Sequence, residues 1–343
     1  MLANLKISIV ENKKDWDDFL YQCNNVNLLQ TWEYGEGKRN AEGWLPIRNI
    51  IMNAYEPLCA VQILVKKIPF LGGIARINRA PLFVSSNNKF KPDNGTVIQA
   101  LRFLYYHWVE RQKFILYIAP NILQDEVGCE ALEEIGFHRA DDNAWSSALI
   151  DLSLEENDLR KNLHQSWRRN LSNRSEKMQL MLEIENSANG FSFLMDKYNQ
   201  TMIEKDFSGP PERLLRELRN ATKHASSVQV MFACKDEERI GGIFIVGYLD
   251  TCHYLVGWNS QKGRILRAHY FLFWQSLLYF KRMGYHWFDL GGVNEKLFPG
   301  ITQFKRGLGG REYTLIGEFE AFPRTFFSRI LKQLIKLKLR YKP

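Results

Sequence analysis

The segment Phe288-Asp289-Leu290-Gly291-Gly292-Val293-Asn294, followed by Phe298-Pro299-Gly300-Ile301-Thr302-Gln303-Phe304-Lys305-Arg306-Gly307-Leu308-Gly309-Gly310, decides how the rest of the chain is read. Residues 287–290 read as a short buried strand. It ends in Asp-x-Gly-Gly, where the missing Cβ atoms let backbone approach a ligand closely. Lys305 and Arg306 then stand between apolar Phe304 and a glycine-rich turn. A lysine held against an apolar wall can stabilise an oxyanion or bind a phosphate. The competing reading has Asp289 capping the turn and Lys305 solvated.

Outward from this segment the pattern is regular. A long helix is predicted at 265–283, preceded by strands at 228–235, 240–249 and 251–258. Before them come a long basic helix at 155–179, a strand at 180–185 and helices at 191–205 and 211–222; a last strand is predicted at 313–322. The first half repeats the plan. It has a strand at 5–10, helices at 13–23 and 30–39, strands at 44–52, 58–66 and 74–78, and a helix at 96–113. A buried strand at 114–118, a short helix at 125–135 and a closing strand at 148–152 complete it. Tyr117-Ile118-Ala119-Pro120 ends the buried strand of the first half as Phe288-Asp289-Leu290-Gly291 ends that of the second. The predicted class is α/β (α+β): two tandem copies of one unit, with mixed, mostly antiparallel sheets flanked by helices. The predicted boundaries are 1–152, 153–322 and a tail at 323–343.

Composition agrees. The chain has 343 residues, 45% hydrophobic, 24% charged and 13% aromatic, enough for two cores and too apolar for disorder. Five cysteines, odd in number and without a Cys-x-x-Cys pair, argue against a disulfide framework and a cysteine zinc site. The seven histidines lack metal-ligand spacing, so no metal is expected. The first residues carry no secretory pattern, and no run reaches the ~18–20 apolar residues of a spanning helix. A cytoplasmic protein is the expectation.

The net charge of +8 is unevenly spread. Residues 1–150 hold 16 Lys/Arg against 17 Asp/Glu, and the remainder holds 30 against 21. One basic cluster comprises Arg160, Lys161, Arg168, Arg169 and Arg174. The other is the tail, where Arg324, Arg329, Lys332, Lys336, Lys338, Arg340 and Lys342 have no acidic neighbour. Such clusters point to an anionic partner, against the plainer reading of a solvated helix face. In the tail, Phe327, Ile330, Leu331, Leu334, Ile335, Leu337 and Leu339 recur at helical spacing between the basic residues. That amphipathic helix either docks on the protein's own core or lies on an anionic membrane surface, peripheral to its inner face.

The run FDLGGV…PGITQFKRGLGG, with YLVGWNS…AHYFLFWQSLLYFKRMGY before it, resembles the C-terminal signature of the Fem-type (FemABX) peptidoglycan aminoacyltransferases. LLQTWEYGEGKR (28–39) is similar to the family's N-terminal segment, and NLHQSWRRNL (162–171) to the segment opening its second domain. The resemblance implies two tandem acyltransferase domains of GNAT type. It implies an aminoacyl group moving from aminoacyl-tRNA to an amino group on a lipid-linked or nucleotide-linked peptidoglycan precursor, without a resident cofactor. By motif position, Lys305 matches the lysine at the reacting ester, and Lys38, near Trp32, a lysine on the precursor diphosphate. Tyr254, with Trp258, falls where aromatics contact the nucleotide or sugar, and Lys205 stands where the family often has Arg. The coiled-coil arm that some members of the family carry has no room between Arg160 and Lys205, which leaves Lys161, Arg168, Arg169 and Arg174, with the C-terminal tail as a further candidate, as the expected tRNA surface.

Transfer requires an amine to attack an ester carbonyl beside a group that stabilises the oxyanion. Lys305 is the expected stabiliser, assisted by Arg306, with Asp289 as candidate proton acceptor. An acyl-CoA donor on the same fold is the alternative. Its pyrophosphate would need a glycine-rich loop before a helix, and residues 261–268 (QKGRILRA) hold only Gly263, with Lys262, Arg264 and Arg267 as phosphate grips. A non-catalytic membrane-surface scaffold is the third reading.

Overall fold

The computed structural model describes residues 5–69, 72–85, 92–141, 144–172, 177–222 and 227–324. In chain order the first stretch forms β1 (Leu5–Ile9), α1 (Lys13–Leu20), α2 (Trp32–Glu42), β2 (Leu45–Asn53), β3 (Glu56–Ile68), β4 (Gly72–Asn78), β5 (Leu82–Phe83) and α3 (Asn94–Tyr105). β6 (Ile115–Ala119), α4 (Cys129–Ile135), β7 (His138–Asp141) and β8 (Ser146–Asp151) follow. The second stretch forms α5 (Glu156–Asn162), α6 (Gln165–Asn170), β9 (Met181–Ile184), α7 (Ala188–Glu204), α8 (Glu212–Ala221), β10 (Val228–Lys235), β11 (Glu238–Tyr248) and β12 (Thr251–Asn259). It ends with α9 (Gln261–Ile265), α10 (Ala268–Arg282), β13 (Trp287–Asp289), α11 (Pro299–Arg306), β14 (Arg311–Thr314) and β15 (Glu318–Ala321).

The local chemistry fits these bounds. Asn12, Asp93 and Ser187 each accept a hydrogen bond from a backbone N–H three residues on, capping α1, α3 and α7. Runs of consecutive buried residues in β3 (59–65) and β10 (228–234) mark strands covered on both faces. In α8, whose surface is otherwise charged, Leu214, Leu215 and Leu218 form the buried stripe.

Two mixed sheets result. The first runs β1-β2-β3-β4-β6-β15-β7, with β5 beside β3; the second, read in the matching direction, runs β9-β10-β11-β12-β13-β8-β14. The two orders correspond strand for strand, as the duplicated plan predicts. In each sheet the meander's third strand pairs in parallel with the strand after the crossover helix: β4 with β6, and β12 with β13. β13 then pairs antiparallel with β8 and β6 with β15.

The last strand of each repeat lies in the other repeat's sheet. β8, assigned from sequence to the first unit, belongs to the second, and β15, assigned to the second, belongs to the first. The compact units are therefore 1–145 with 314–343, and 146–313, which corrects the boundaries 1–152 and 153–322. The physical reason is burial. Ala148, Ile150 and Leu152 fill the core around Phe273 and Phe288, whereas Phe319 and Ala321 fill the core around Leu116 and Ile118. The stretch predicted as one strand at 313–322 is cut where Gly317 takes φ +114°, and its halves enter different sheets.

Two predicted helices are also divided. The basic helix expected at 155–179 breaks at Leu163, whose extended backbone (φ −60°, ψ 138°) separates α5 from α6. The helix expected at 265–283 breaks at Arg267, in the left-handed region at φ +60°. In the first unit the Gln30 side chain is wedged between strands. Its amide nitrogen donates to the Asn78 carbonyl at 2.7 Å and its amide oxygen accepts from the Gln62 N–H at 2.7 Å, replacing backbone pairing where β4 leaves β3. The amphipathic tail from Phe327 onward lies outside the described residues.

Candidate active site

The motifs 162–171, 254–280 and 288–310 converge in the second unit around one lysine. Lys305 lies in the last turn of α11, started by Pro299 at its first turn. Thr302 and Lys305, three residues apart, form the buried face of that helix. Phe304 packs on Trp167, Tyr270 and Phe273 with ring centroids 5.7, 5.0 and 5.2 Å away, and its carbonyl accepts from Trp167 Nε1 at 3.1 Å. The glycines after it serve this packing. A Cβ at Gly309, which has φ +77°, would stand 2.2 Å from the Asn162 carbonyl oxygen.

Lys305 is 6% exposed. Nζ donates to the Gly292 carbonyl at 2.8 Å and lies 5.4 Å from the centre of the Tyr254 ring. Burial pushes its pKa down to about 8, against the opposing pull of the Asp289 carboxylate. One hydrogen bond leaves two N–H donors of the ammonium for a ligand.

Asp289 is 2% exposed and is occupied within the fold. Oδ1 lies 2.5 Å from Ser147 Oγ and accepts from the Gly291 N–H at 2.8 Å. Oδ2 accepts from the Tyr313 hydroxyl at 3.3 Å and faces His253 Nδ1 at 3.2 Å. Tyr313, Ser147, Asp289 and His253 thus form a polar row across β14, β8, β13 and β12. A carboxylate so enclosed is not placed to take a proton from a substrate amine, which corrects that expectation for Asp289. At Gly291 (φ +70°) a Cβ would meet the Tyr254 carbonyl at 2.9 Å, with Lys305 Nζ and His253 Nε2 next at 3.6 and 3.7 Å.

Arg306 is also corrected. One residue further along α11, it points away from Lys305 and is held by Glu295 at 2.6 Å and Glu312 at 2.7 Å. These carboxylates raise its pKa, and it is not free to assist at an oxyanion. The remaining residues are spread more widely. Tyr254 packs on Phe273 at 4.8 Å, and burial pushes its phenol pKa up. The Trp258 ring is 5.7 Å from Lys197 Nζ, and its carbonyl lies 3.0 Å from His269 Nε2. Lys205 is exposed at the end of α7, its pKa lowered by desolvation and by Arg264. Lys38 and Trp32 lie on α2 of the first unit. Lys38 is paired with Glu42, and Trp32 is covered by the buried Arg48 guanidinium at 3.6 Å.

Lys161, Arg168 and Arg169 are exposed on α5 and α6, which bury Leu159 and Trp167. Lys161 pairs with Asp158 at 2.8 Å, and Arg168 donates to the Lys161 carbonyl at 2.8 Å. Arg174 lies outside the described residues. The stretch around Gly263 forms α9 rather than an open loop. The Gly263 N–H is taken by Ser260 Oγ at 3.0 Å, and a Cβ there would stand 2.2 Å from the Ile240 carbonyl.

The sequence reading did not single out Ser147 and Tyr313 as site residues. The available signal was period two: in β8, Ser147 alternates with buried Ala148 and Ile150, but only the sheet order reveals that it meets Asp289. No described helix is long and apolar enough to cross a membrane.

The FemAB family model matches residues 157–336, more than half of the chain. The chain belongs to the FemAB family. It is an aminoacyltransferase of that family, acting on peptidoglycan precursors. Among solved structures, FemX matches with a TM-score of 0.76 at 16% identity, covering 96% of this chain and 99% of FemX. L-PGS from Bacillus licheniformis matches at a TM-score of 0.55 and 12% identity, covering 95% and 96%. A tandem GNAT protein from the clavulanic acid biosynthesis pathway matches at 0.53 and 10%, covering 93% and 98%. At these identities the likeness establishes the fold, two tandem GNAT-like units. No curated protein sequence matches the chain. Within the FemAB match lie the whole Lys305 helix and all but the first residue of the α5–α6 segment.

Proposed function

We propose that this FemAB-family enzyme takes its aminoacyl group from aminoacyl-tRNA and that Lys305 stabilises the oxyanion formed at the ester carbonyl. The observation that carries this reading is the Lys305 ammonium, enclosed beside Tyr254, tethered by one bond to Gly292 and with donors to spare. The substrate amine forms a bond to the ester carbon, and negative charge develops on the carbonyl oxygen. An ammonium in a poorly solvated site stabilises that charge far better than water does. Collapse breaks the carbon–oxygen bond to the terminal ribose, which leaves as a hydroxyl. The proton lost by the amine goes to that leaving oxygen or to solvent.

The exposed Lys161, Arg168 and Arg169 supply a basic face for the tRNA backbone. Tyr254, Trp258 and Lys205 are read as substrate contacts, and Lys38 and Trp32 as contacts of the precursor diphosphate and its neighbourhood. No resident cofactor enters this chemistry. An acyl-CoA donor is less well supported, since the Gly263 N–H that a pyrophosphate would need is already taken by Ser260. The tail is read as a peripheral contact with an anionic membrane, which deletion of 326–343 followed by sedimentation with anionic vesicles tests.

The deciding experiment supplies purified protein with a peptidoglycan precursor and either charged tRNA or acyl-CoA. Transfer from charged tRNA is expected. Protection of the enzyme by acyl-CoA, without transfer from any charged tRNA, overturns the donor assignment.

A further inference from the structure

We propose that Ser147 and Asp289 are positioning residues for Lys305, acting through the Gly291–Gly292 turn, so that the exchanged strand β8 completes the reaction centre. The chain of contacts is continuous. Ser147 Oγ lies 2.5 Å from Asp289 Oδ1 and 2.9 Å from the Gly291 carbonyl oxygen, so its one O–H is shared between acceptors at both ends of the turn. Asp289 Oδ1 accepts from the Gly291 N–H at 2.8 Å, closing a side-chain turn over Leu290. The next carbonyl, that of Gly292, is the one that receives Lys305 Nζ. Gly291 sits at φ +70°, so the turn has little intrinsic preference for its shape and depends on these bonds.

Ser147 is fully buried, and a buried hydroxyl is kept only where its bonds are made. It comes from the first repeat's last strand, which crosses into the second sheet beside β13. A repeat folding on its own strands alone would have Lys305 and Asp289 but no Ser147. The groups around the lysine are Asp289 from β13, His253 and Tyr254 from β12, and Tyr313 from β14, the last held through Asp289. Of these, Asp289 holds the ammonium in its charged form.

The proposal rests on Lys305 acting at the oxyanion, and its test separates the two. In the full chain labelled with 13Cε-lysine, the Lys305 signal, assigned by its loss in Lys305→Met, reports the lysine's titration without any substrate. In wild type the midpoint is expected near 8, and Asp289→Asn moves it lower. Steady-state turnover of Ser147→Ala is expected to fall about tenfold, with KM for donor and acceptor within twofold and Ser147→Thr restoring most of the rate. In Asp289→Asn the pH at which kcat declines should shift down together with the NMR midpoint. Tyr313→Phe, which removes the 3.3 Å contact to Oδ2 and keeps the ring, is the milder variant should Ser147→Ala not fold, and its kcat should fall two- to threefold. Folded variants with wild-type kcat and an unmoved Lys305 midpoint would overturn the positioning role. A midpoint that moves in a protein inactive with every charged tRNA would support the clamp while removing the tRNA reading.

Discussion

Lys305 Nζ and the Gly292 carbonyl oxygen are 2.8 Å apart at the end of β13, a buried ammonium held by one backbone group. The lysine belongs to a helix and the carbonyl to the turn after a strand, so the contact depends on two elements docking correctly. Its exposure of 6% makes it costly to keep charged.

Replacing Lys305 with Met should therefore separate activity from stability. Turnover is expected to drop by about 10²–10³-fold, the size of effect seen when an oxyanion donor is removed. The fold should gain stability, because burial disfavours the ammonium more than Asp289 favours it, and that cost goes with the charge. Urea denaturation measures the second effect, and a destabilised Lys305→Met would contradict the burial argument.

Lys305 also sets a pH window. Its pKa is near 8 in the folded protein against 10.5 for an ordinary lysine, so the unfolded chain binds more protons between those values. Stability contributed by this group therefore rises from about pH 8 towards 10.5. Activity runs the other way, declining above about 8 as the ammonium is lost. Parallel pH profiles of kcat and of the denaturation midpoint check the opposite signs.

Gly291→Ala introduces a Cβ 2.9 Å from the Tyr254 carbonyl at a backbone φ of +70°. A non-glycine residue there costs on the order of 1–3 kcal/mol and displaces the turn that holds Lys305. A lower kcat at unchanged secondary structure is the expected result. A fully active Gly291→Ala would show that the turn tolerates movement.

Phe319 is fully buried, and the exchange of strands makes its effect specific to the first unit. Phe319→Ala should destabilise that unit by about 3–5 kcal/mol. Hydrogen exchange should accelerate in β6 and β7, which flank β15, and remain slow in β13. Uniform acceleration in both sheets would count against two separable cores.

The basic face of α5 and α6 gives a salt-dependence test. If Arg168 and Arg169 each meet a phosphate, replacing both by Ala should lower the slope of log K against log salt by about 1.4, at roughly 0.7 per single-strand contact. Filter binding of charged tRNA at several salt concentrations reads this directly. An unchanged slope would move the nucleic acid elsewhere.

Much of this fold is legible in the chain, for identifiable reasons. The meanders at 44–78 and 228–259 are strong because their strands are apolar and bounded by turn residues. Lys305 stands out because a basic residue follows Phe304 and precedes three glycines. Arg306 was misleading for the same reason. Neighbours in sequence lie on different faces of a helix, and α11 buries one while Glu295 and Glu312 hold the other. Asp289 was recognisable as a turn residue, but its enclosure by Ser147 and Tyr313 joins positions 142 and 24 residues away.

The sequence by itself marked out the main helices and strands, the duplicated plan and the motif that carries Lys305, because periodicity and turn chemistry act over a few residues. Tertiary structure decided which sheet receives β8 and β15, and with it which hydroxyl reaches Asp289. A short apolar strand carries a pattern for burial but none for a partner. Only the competition between two cores for Ala148 and Ile150, or for Phe319 and Ala321, selects the sheet in which each strand is paired.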